Sequence, residues 1–156
     1  MKLHSLLAED LVLLDLKSRS REDVLKEMVD HLKMKNRITK DRDLYDKFIQ
    51  REKLGSTAIG DGVAIPHCKI KGVKAPLFLL GVSKQGVSFD SLDGKPSHIF
   101  FVVISYPDNP GMNLQALASI AKLVRKAAAL PRRILEAKSS KAAIEIVREE
   151  EEKLND

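Results

Sequence analysis

The chain has one cysteine, Cys68, no tryptophan and only 4% aromatic residues. A lone cysteine excludes an intramolecular disulfide, in keeping with a reducing compartment. With so few rings, the core must be built mostly from Leu, Val, Ile and Ala, and 44% hydrophobic residues suffice for that. A long uncharged apolar run is also missing. Glu9, Asp10 and Asp15 interrupt Met1 to Leu16, so neither a membrane span nor a signal-peptide layout is present. The expectation is a soluble cytoplasmic protein with no membrane insertion. No His, Cys or carboxylate cluster has zinc-ligand spacing, so no metal and no cofactor is expected. The glycines lack the Gly-Lys-Ser/Thr ending of a nucleotide-binding P-loop. Charge of one sign is not concentrated either. The balance of 27 − 22 = +5 is spread along the chain. That is not a nucleic-acid footprint, although it suits an acidic partner or a bound phosphate.

What is present reads as one domain, residues 1–156, without internal repeat or low-complexity linker. Leu3 to Leu7 makes a helical turn and Leu11 to Leu16 a first strand. Ser20 caps a helix whose apolar face is Val24, Leu25, Met28, Val29 and Leu32, with Asn36 as its stop. Thr39 or Asp41 caps a second helix, with Leu44, Tyr45, Phe48 and Ile49 inward and Gly55 just past its end. Ser56 to Gly62 reads as loop and Val63 to Ile65 as extended chain that stops at Pro66. Leu77 to Val82 is a strand, Gln85-Gly86 a turn, Val87 to Phe89 a short extended piece and Leu92-Asp93-Gly94 a second turn. Ile99 to Ser105 is apolar throughout and reads as a central strand covered on both faces. After a loop from Pro107 to Gly111, a helix runs from Met112 to about Lys126 with Leu114, Leu117, Ala118, Ala121 and Val124 inward. Pro131 opens a short helix through Ala137, and Ser139 or Ser140 caps a last one with Ala143, Ile146 and Val147 inward. Glu149 to Glu152 reads as a solvated, fraying helix end. The fold class is therefore α/β: a mixed parallel and antiparallel sheet flanked by helices on both faces.

The most unusual stretch is Arg51 to Cys68, where a helix end and a glycine- and hydroxyl-rich loop lead to Pro66-His67. A neutral imidazole is nucleophilic and can carry a phosphoryl group. The charge it would then bear, about −1.5 to −2 by analogy with other phosphorylated side chains, needs donors around it. Arg51 offers a planar fork, Ser56 and Thr57 offer hydroxyls, and Gly55, Gly60 and Gly62 let backbone N–H groups approach closely. The start of the helix near Met112 is a further anion-facing group. The bland alternatives are an exposed or structural histidine, a solvated arginine and an ordinary loop. Cys68 is adjacent to His67 and points the other way on an extended chain, a poor arrangement for a dyad. His98 reads as structural, and His4 and His31 as surface residues. Lys122, Arg125, Lys126, Arg132 and Arg133 read as a solvated basic face, the alternative being a docking surface for an acidic partner.

Arg51-Glu52, Gly55-Ser56-Thr57, Ile59-Gly60 and Gly62-Val63-Ala64-Ile65-Pro66-His67 together resemble the signature of enzyme IIA of the bacterial phosphotransferase system, fructose/mannitol/nitrogen-regulatory class. The likeness continues through Phe89 to Pro96, Leu114 to Leu123 and Ile134 to Ser139. It implies phosphorylation of His67 by a histidine-containing phosphocarrier protein, with Arg51 steadying the phosphoryl group. It also implies a mixed sheet flanked by helices. The family commonly has a second histidine early in the late helix, and here that position is Asn113. An amide donates a hydrogen bond but cannot become a cation, which weakens support for a phosphoryl group. Two roles follow. One is a stand-alone regulatory component of the nitrogen-regulatory kind, acting on target proteins. The other is a carrier passing phosphate to a IIB domain for fructose- or mannitol-type uptake. The absence of a transporter or IIB segment in these residues tips the expectation toward regulation.

Overall fold

The computed structural model describes residues 2–73, 75–108 and 110–154. Two 3-10 turns, Leu3–Leu6 and Glu9–Leu11, lead into a two-residue strand β1, Val12–Leu13. The expected strand from Leu11 to Leu16 is thus mostly irregular, since only Val12 and Leu13 find a ladder partner, in Leu80 and Gly81. Helix α1, Arg21–Met34, starts as expected: the Ser20 hydroxyl accepts from the Asp23 amide at 3.1 Å. It stops before Asn36, which takes a left-handed φ of 58°. Helix α2, Asp41–Lys53, has Lys40 at its N-cap and no side-chain cap bond, so neither Thr39 nor Asp41 caps it. Asp41 lies in the first turn and bonds Lys33 Nζ instead.

The segment expected to be loop contains strand β2, Ala58–Gly60, which turns back antiparallel onto β3, Val63–Ala64. The strand lapses only at Ile65 and Pro66. The Pro66 carbonyl accepts from the Val103 amide, and strand β4, His67–Lys69, resumes beside the same neighbour. His67 therefore opens a strand rather than ending one. Strand β5, Leu77–Val87, runs through the expected Gln85-Gly86 turn. A register shift lies between Val82 and Val87, and Gly86 has φ 89°. A glycine with positive φ serves a bulge as well as a turn, and the bulge is what forms. The expected turn at Leu92 to Gly94 is present and leads into β6, Ser97–Ser105.

Of the expected loop Pro107 to Gly111, Asn109 lies outside the described residues and Pro110 already opens α3, Pro110–Lys126. The buried face of α3 is Asn113, Ala116, Ile120, Leu123 and Val124. The helix is rotated by about one residue from the expected stripe, leaving Leu114 exposed at 68%. Apolar residues lie on two adjoining faces of this helix, and it is Ala116, Ile120 and Leu123 rather than Leu114 and Ala118 that enter the core. Helices α4, Leu130–Leu135, and α5, Ser140–Leu154, follow, with the Ser139 hydroxyl accepting from the Ala142 amide.

The sheet order is β1-β5-β6-β3-β2, with β4 also paired to β6. Strand β6 runs parallel to β3 and β4 and antiparallel to β5. Its side chains alternate between two cores. Ile99, Phe101 and Val103 pack with α3, α4 and α5, while Phe100, Val102 and Ile104 pack with α1 and α2. The mixed sheet with helices on both faces agrees with the sequence reading.

Glu149 to Glu152 is not a loose end. Glu150 is buried and pairs with Arg133 and Lys153, while Glu149 also pairs with Arg133 and Glu152 with Arg148. Glu151 accepts from the Leu3 and His4 amides and bonds the His4 ring. These acids fasten the N-terminal turn and α4 to α5, so helical spacing turned an apparent charge run into specific pairs.

Candidate functional site

Arg51 is in the last turn of α2, and His67 opens β4. The two meet, with Arg51 Nε donating to His67 Nε2 at 3.3 Å. The other ring nitrogen, Nδ1, lies 2.8 Å from the Ile65 carbonyl oxygen. A carbonyl only accepts, so Nδ1 carries the proton, and Nε2 keeps its lone pair toward the guanidinium. Half-burial of the ring holds the imidazolium below histidine's ordinary range. The Ile65 carbonyl opposes this and the Arg51 cation reinforces it. The ring thus holds its Nδ1–H on the Ile65 carbonyl and turns its Nε2 lone pair toward a cation.

The loop residues divide into two groups. Gly55 belongs to the Arg51 side: its carbonyl accepts from Arg51 Nη1 at 2.8 Å. Ser56 and Thr57 spend their hydroxyls inside the scaffold, Ser56 on the Phe89 carbonyl and Thr57 on Glu52. Gly60 and Gly62 form the β2–β3 turn, with φ of 92° and 78°. The Gly62 carbonyl accepts from His98 and Ile99, whereas His67 is in register with Val103. From Ile99 to Val103 is about 13 Å along a strand, so these two glycines shape the turn and do not cradle the imidazole.

Asn113 lies near the start of α3, buried, with its oxygen accepting from the Ser105 hydroxyl at 3.2 Å. By strand register it lies on the same side of the sheet as His67, but its hydrogen bond goes to Ser105 and none goes to the imidazole. Cys68 points into the α1–α2 core, and burial pushes its thiol pKa up to about 12, which makes it an inert core residue. His98 Nδ1 bonds the Ser83 carbonyl, a structural contact. Sequence reasoning missed Glu52, 3% exposed, which accepts from both the amide and the hydroxyl of Thr57. The available signal was its place in the Arg51-Glu52 pair of the family signature, five residues before a threonine. Among the described residues, no group of three or more His, Cys, Asp or Glu is placed to hold a metal ion. No helix among them is long and apolar enough to cross a membrane.

The fold places the chain in a class of α/β proteins with solved examples. It superposes on nitrogen regulatory protein IIA-Ntr from Neisseria meningitidis with a TM-score of 0.84 and 26% identity, covering 93% of this chain and 98% of that one. The complex of enzyme IIAMtl and phosphorylated enzyme IIBMtl from Escherichia coli matches in fold, with a TM-score of 0.74 and 15% identity over 90% of this chain and 96% of that one. A nitrogen regulatory protein of Bradyrhizobium diazoefficiens is 35% identical over 129 residues, 80% of this chain and 81% of that protein. The fructose-specific EIIABC component of Bacillus subtilis is 35% identical over 148 residues, 94% of this chain but only 23% of that longer protein. The family model for the phosphoenolpyruvate-dependent sugar phosphotransferase system, EIIA 2, matches residues 5–150. The chain belongs to this EIIA 2 family.

Proposed function

We propose that Nε2 of His67 accepts a phosphoryl group from a histidine-containing phosphocarrier protein, and that the chain acts mainly as a regulatory component whose phosphorylation state selects its protein partners. The observation that carries this is the pair of bonds on one ring: Nδ1–H on the Ile65 carbonyl and the Nε2 lone pair at Arg51. Nε2 attacks phosphorus as the nitrogen–phosphorus bond of the donor breaks, and the donor imidazole leaves with the electron pair. No water is consumed. The Ile65 carbonyl keeps the proton on Nδ1 and steadies the positive charge that develops on the attacking ring. Arg51 Nε–H occupies the attacking lone pair at rest, but at 3.3 Å that bond is long and easily given up. As the new bond forms, the guanidinium turns its hydrogens to the phosphoryl oxygens, where a charge-assisted bond is stronger.

The regulatory reading is supported by the nitrogen regulatory relatives, two of them matched over most of both chains. The fructose-specific relative favours a second reading, in which the phosphoryl group moves on to a IIB domain. Incubation with phosphoenolpyruvate, enzyme I and the phosphocarrier protein, followed by candidate IIB domains and sugar, tests both. Label is expected on the wild type and not on His67→Ala. Equal labelling of the two overturns the site. Rapid, sugar-dependent loss of label to a IIB domain overturns the regulatory reading in favour of the carrier. The amide of Asn113 supplies no cation, so Asn113→His is expected to speed transfer or slow hydrolysis of the phosphoprotein. Unchanged rates of both exclude a role for that position.

A further inference from the structure

We propose that Glu52 is a positioning residue which sets the imidazole of His67 and the guanidinium of Arg51 relative to one another; this rests on the phosphohistidine reading for its catalytic consequence. Two hydrogen-bond chains leave the site and converge on this one residue. From the ring, His67 Nδ1–H donates to the Ile65 carbonyl at 2.8 Å, and the Ile65 amide donates to the Thr57 carbonyl at 3.0 Å. Thr57 in turn donates from its amide, at 3.0 Å, and from its hydroxyl, at 2.7 Å, to the two carboxylate oxygens of Glu52. From the cation, Arg51 Nη1 donates to the Gly55 carbonyl at 2.8 Å, and the Gly55 amide donates to the backbone carbonyl of Glu52 at 3.1 Å.

The choice of an acid here needs explaining. Glu52 is 3% exposed and Thr57 5% exposed, and no salt bridge compensates Glu52 among the described residues. Burying a carboxylate without a counter-ion is costly, and a plain loop anchor does not require one. Thr57, however, points two donors at the same spot. An ionised carboxylate accepts from both with charge-assisted bonds, whereas an amide in its place keeps one acceptor for the Thr57 N–H and must reverse the hydroxyl bond, which makes both contacts weaker neutral ones. The acid thus fixes Thr57 rigidly, and Thr57 fixes the peptide that dictates which ring nitrogen of His67 keeps its lone pair. Glu52 touches neither reacting atom; it acts on His67 through this geometry, and its charge also favours the protonated ring in opposition to burial and the Arg51 cation.

Glu52→Gln and Thr57→Val, singly and together in the full chain, test this, with Thr57→Ser as the conservative control that keeps both donors. Nitrogen-15 NMR of the His67 ring reads its tautomer without any phosphorylation, and label transfer from the phosphocarrier protein reads kcat and KM separately. The expected result is a ring that changes from mainly Nδ1–H to a mixture in Glu52→Gln and Thr57→Val. A fall in kcat of about tenfold or more should accompany it, with KM for the phosphocarrier within about twofold. The double variant should be no worse than the more impaired single one, because both changes cut the same chain. Thr57→Ser should restore tautomer and rate. Wild-type tautomer and kcat in both single variants overturn the proposal. So does an equal loss in Thr57→Ser. If Glu52→Gln does not fold, Thr57→Val carries the same test. Loss of the tautomer preference in a chain whose wild type is never labelled supports the positioning role while overturning the phosphohistidine reading, so the two failures are distinct.

Discussion

His67 combines an Nε2 lone pair turned toward Arg51 with a lowered tendency to take up a proton, and both come from its immediate surroundings. Burial first, and the Arg51 cation after it, keep the folded-state pKa below the ordinary 6.5, against the pull of the Ile65 carbonyl. The unfolded chain therefore binds this proton more readily than the folded one. Stability from this residue is intact above the unfolded value and is lost as pH falls through the folded value. An NMR titration of the His67 ring should find a midpoint below 6.5 in the unphosphorylated protein. Urea unfolding of the wild type and of His67→Gln should diverge below about pH 6.5, the wild type losing more stability. Parallel pH profiles for the two proteins contradict the burial argument. Arg51 makes its case through shape as much as charge, since Nε serves the ring and Nη1 the Gly55 carbonyl at the same time. Lysine keeps the charge but has no fork, so Arg51→Lys should lower the rate of phosphoryl acceptance by about 10²-fold, the scale of losing a donor aimed at developing charge. A rate within twofold of wild type in the phosphocarrier assay reduces Arg51 to a solvated cation.

At the scale of elements, the last helix does more than cover the sheet. Glu151 of α5 collects the amides of Leu3 and His4 and the His4 ring, and so ties a 3-10 turn that would otherwise fray. Glu151→Ala is expected to expose the Leu3 and His4 amides to rapid hydrogen exchange while costing about 1–2 kcal/mol globally. Continued protection of both amides shows that apolar packing of Leu3 holds the turn instead. The sequence predicted α5 but not this duty, because four consecutive acids look alike until the helix sorts them onto different faces. The same limit explains β2. Ala58-Ile59-Gly60 is too short and too glycine-rich to look like a strand, and only the partner β3 makes it one. By contrast α1 was legible in detail, because a serine cap, a 3.6-residue apolar stripe and Asn36 are all local signals. In the site, His67 and Arg51 were legible as a chemical pair. The division of the glycine loop was not, since it depends on how far along β6 each residue lands.

The whole molecule is organised by β6. It lies between β5 and the β3–β4 pair, and its successive side chains enter opposite cores. The site depends on the same arrangement, because α2 carries Arg51 on one face while His67 is registered on β6 against Val103, whose side chain belongs to the other. Neither face has a sheet of its own, so each layer of helices is stable only while β6 is paired. The two cores should therefore unfold together rather than as separate halves. Phe100, fully buried among α1–α2 residues, and Phe101, buried among α3–α5 residues, are adjacent probes of this. Phe100→Ala and Phe101→Ala should each cost about 3–5 kcal/mol, from lost burial plus the cavity left behind. In each variant, urea unfolding followed by far-ultraviolet circular dichroism should coincide with the loss of the His67 ring signal of the folded state. Helical signal surviving past the loss of the His67 signal, in either variant, would mean that one layer folds alone and that β6 is not the shared support inferred from its register.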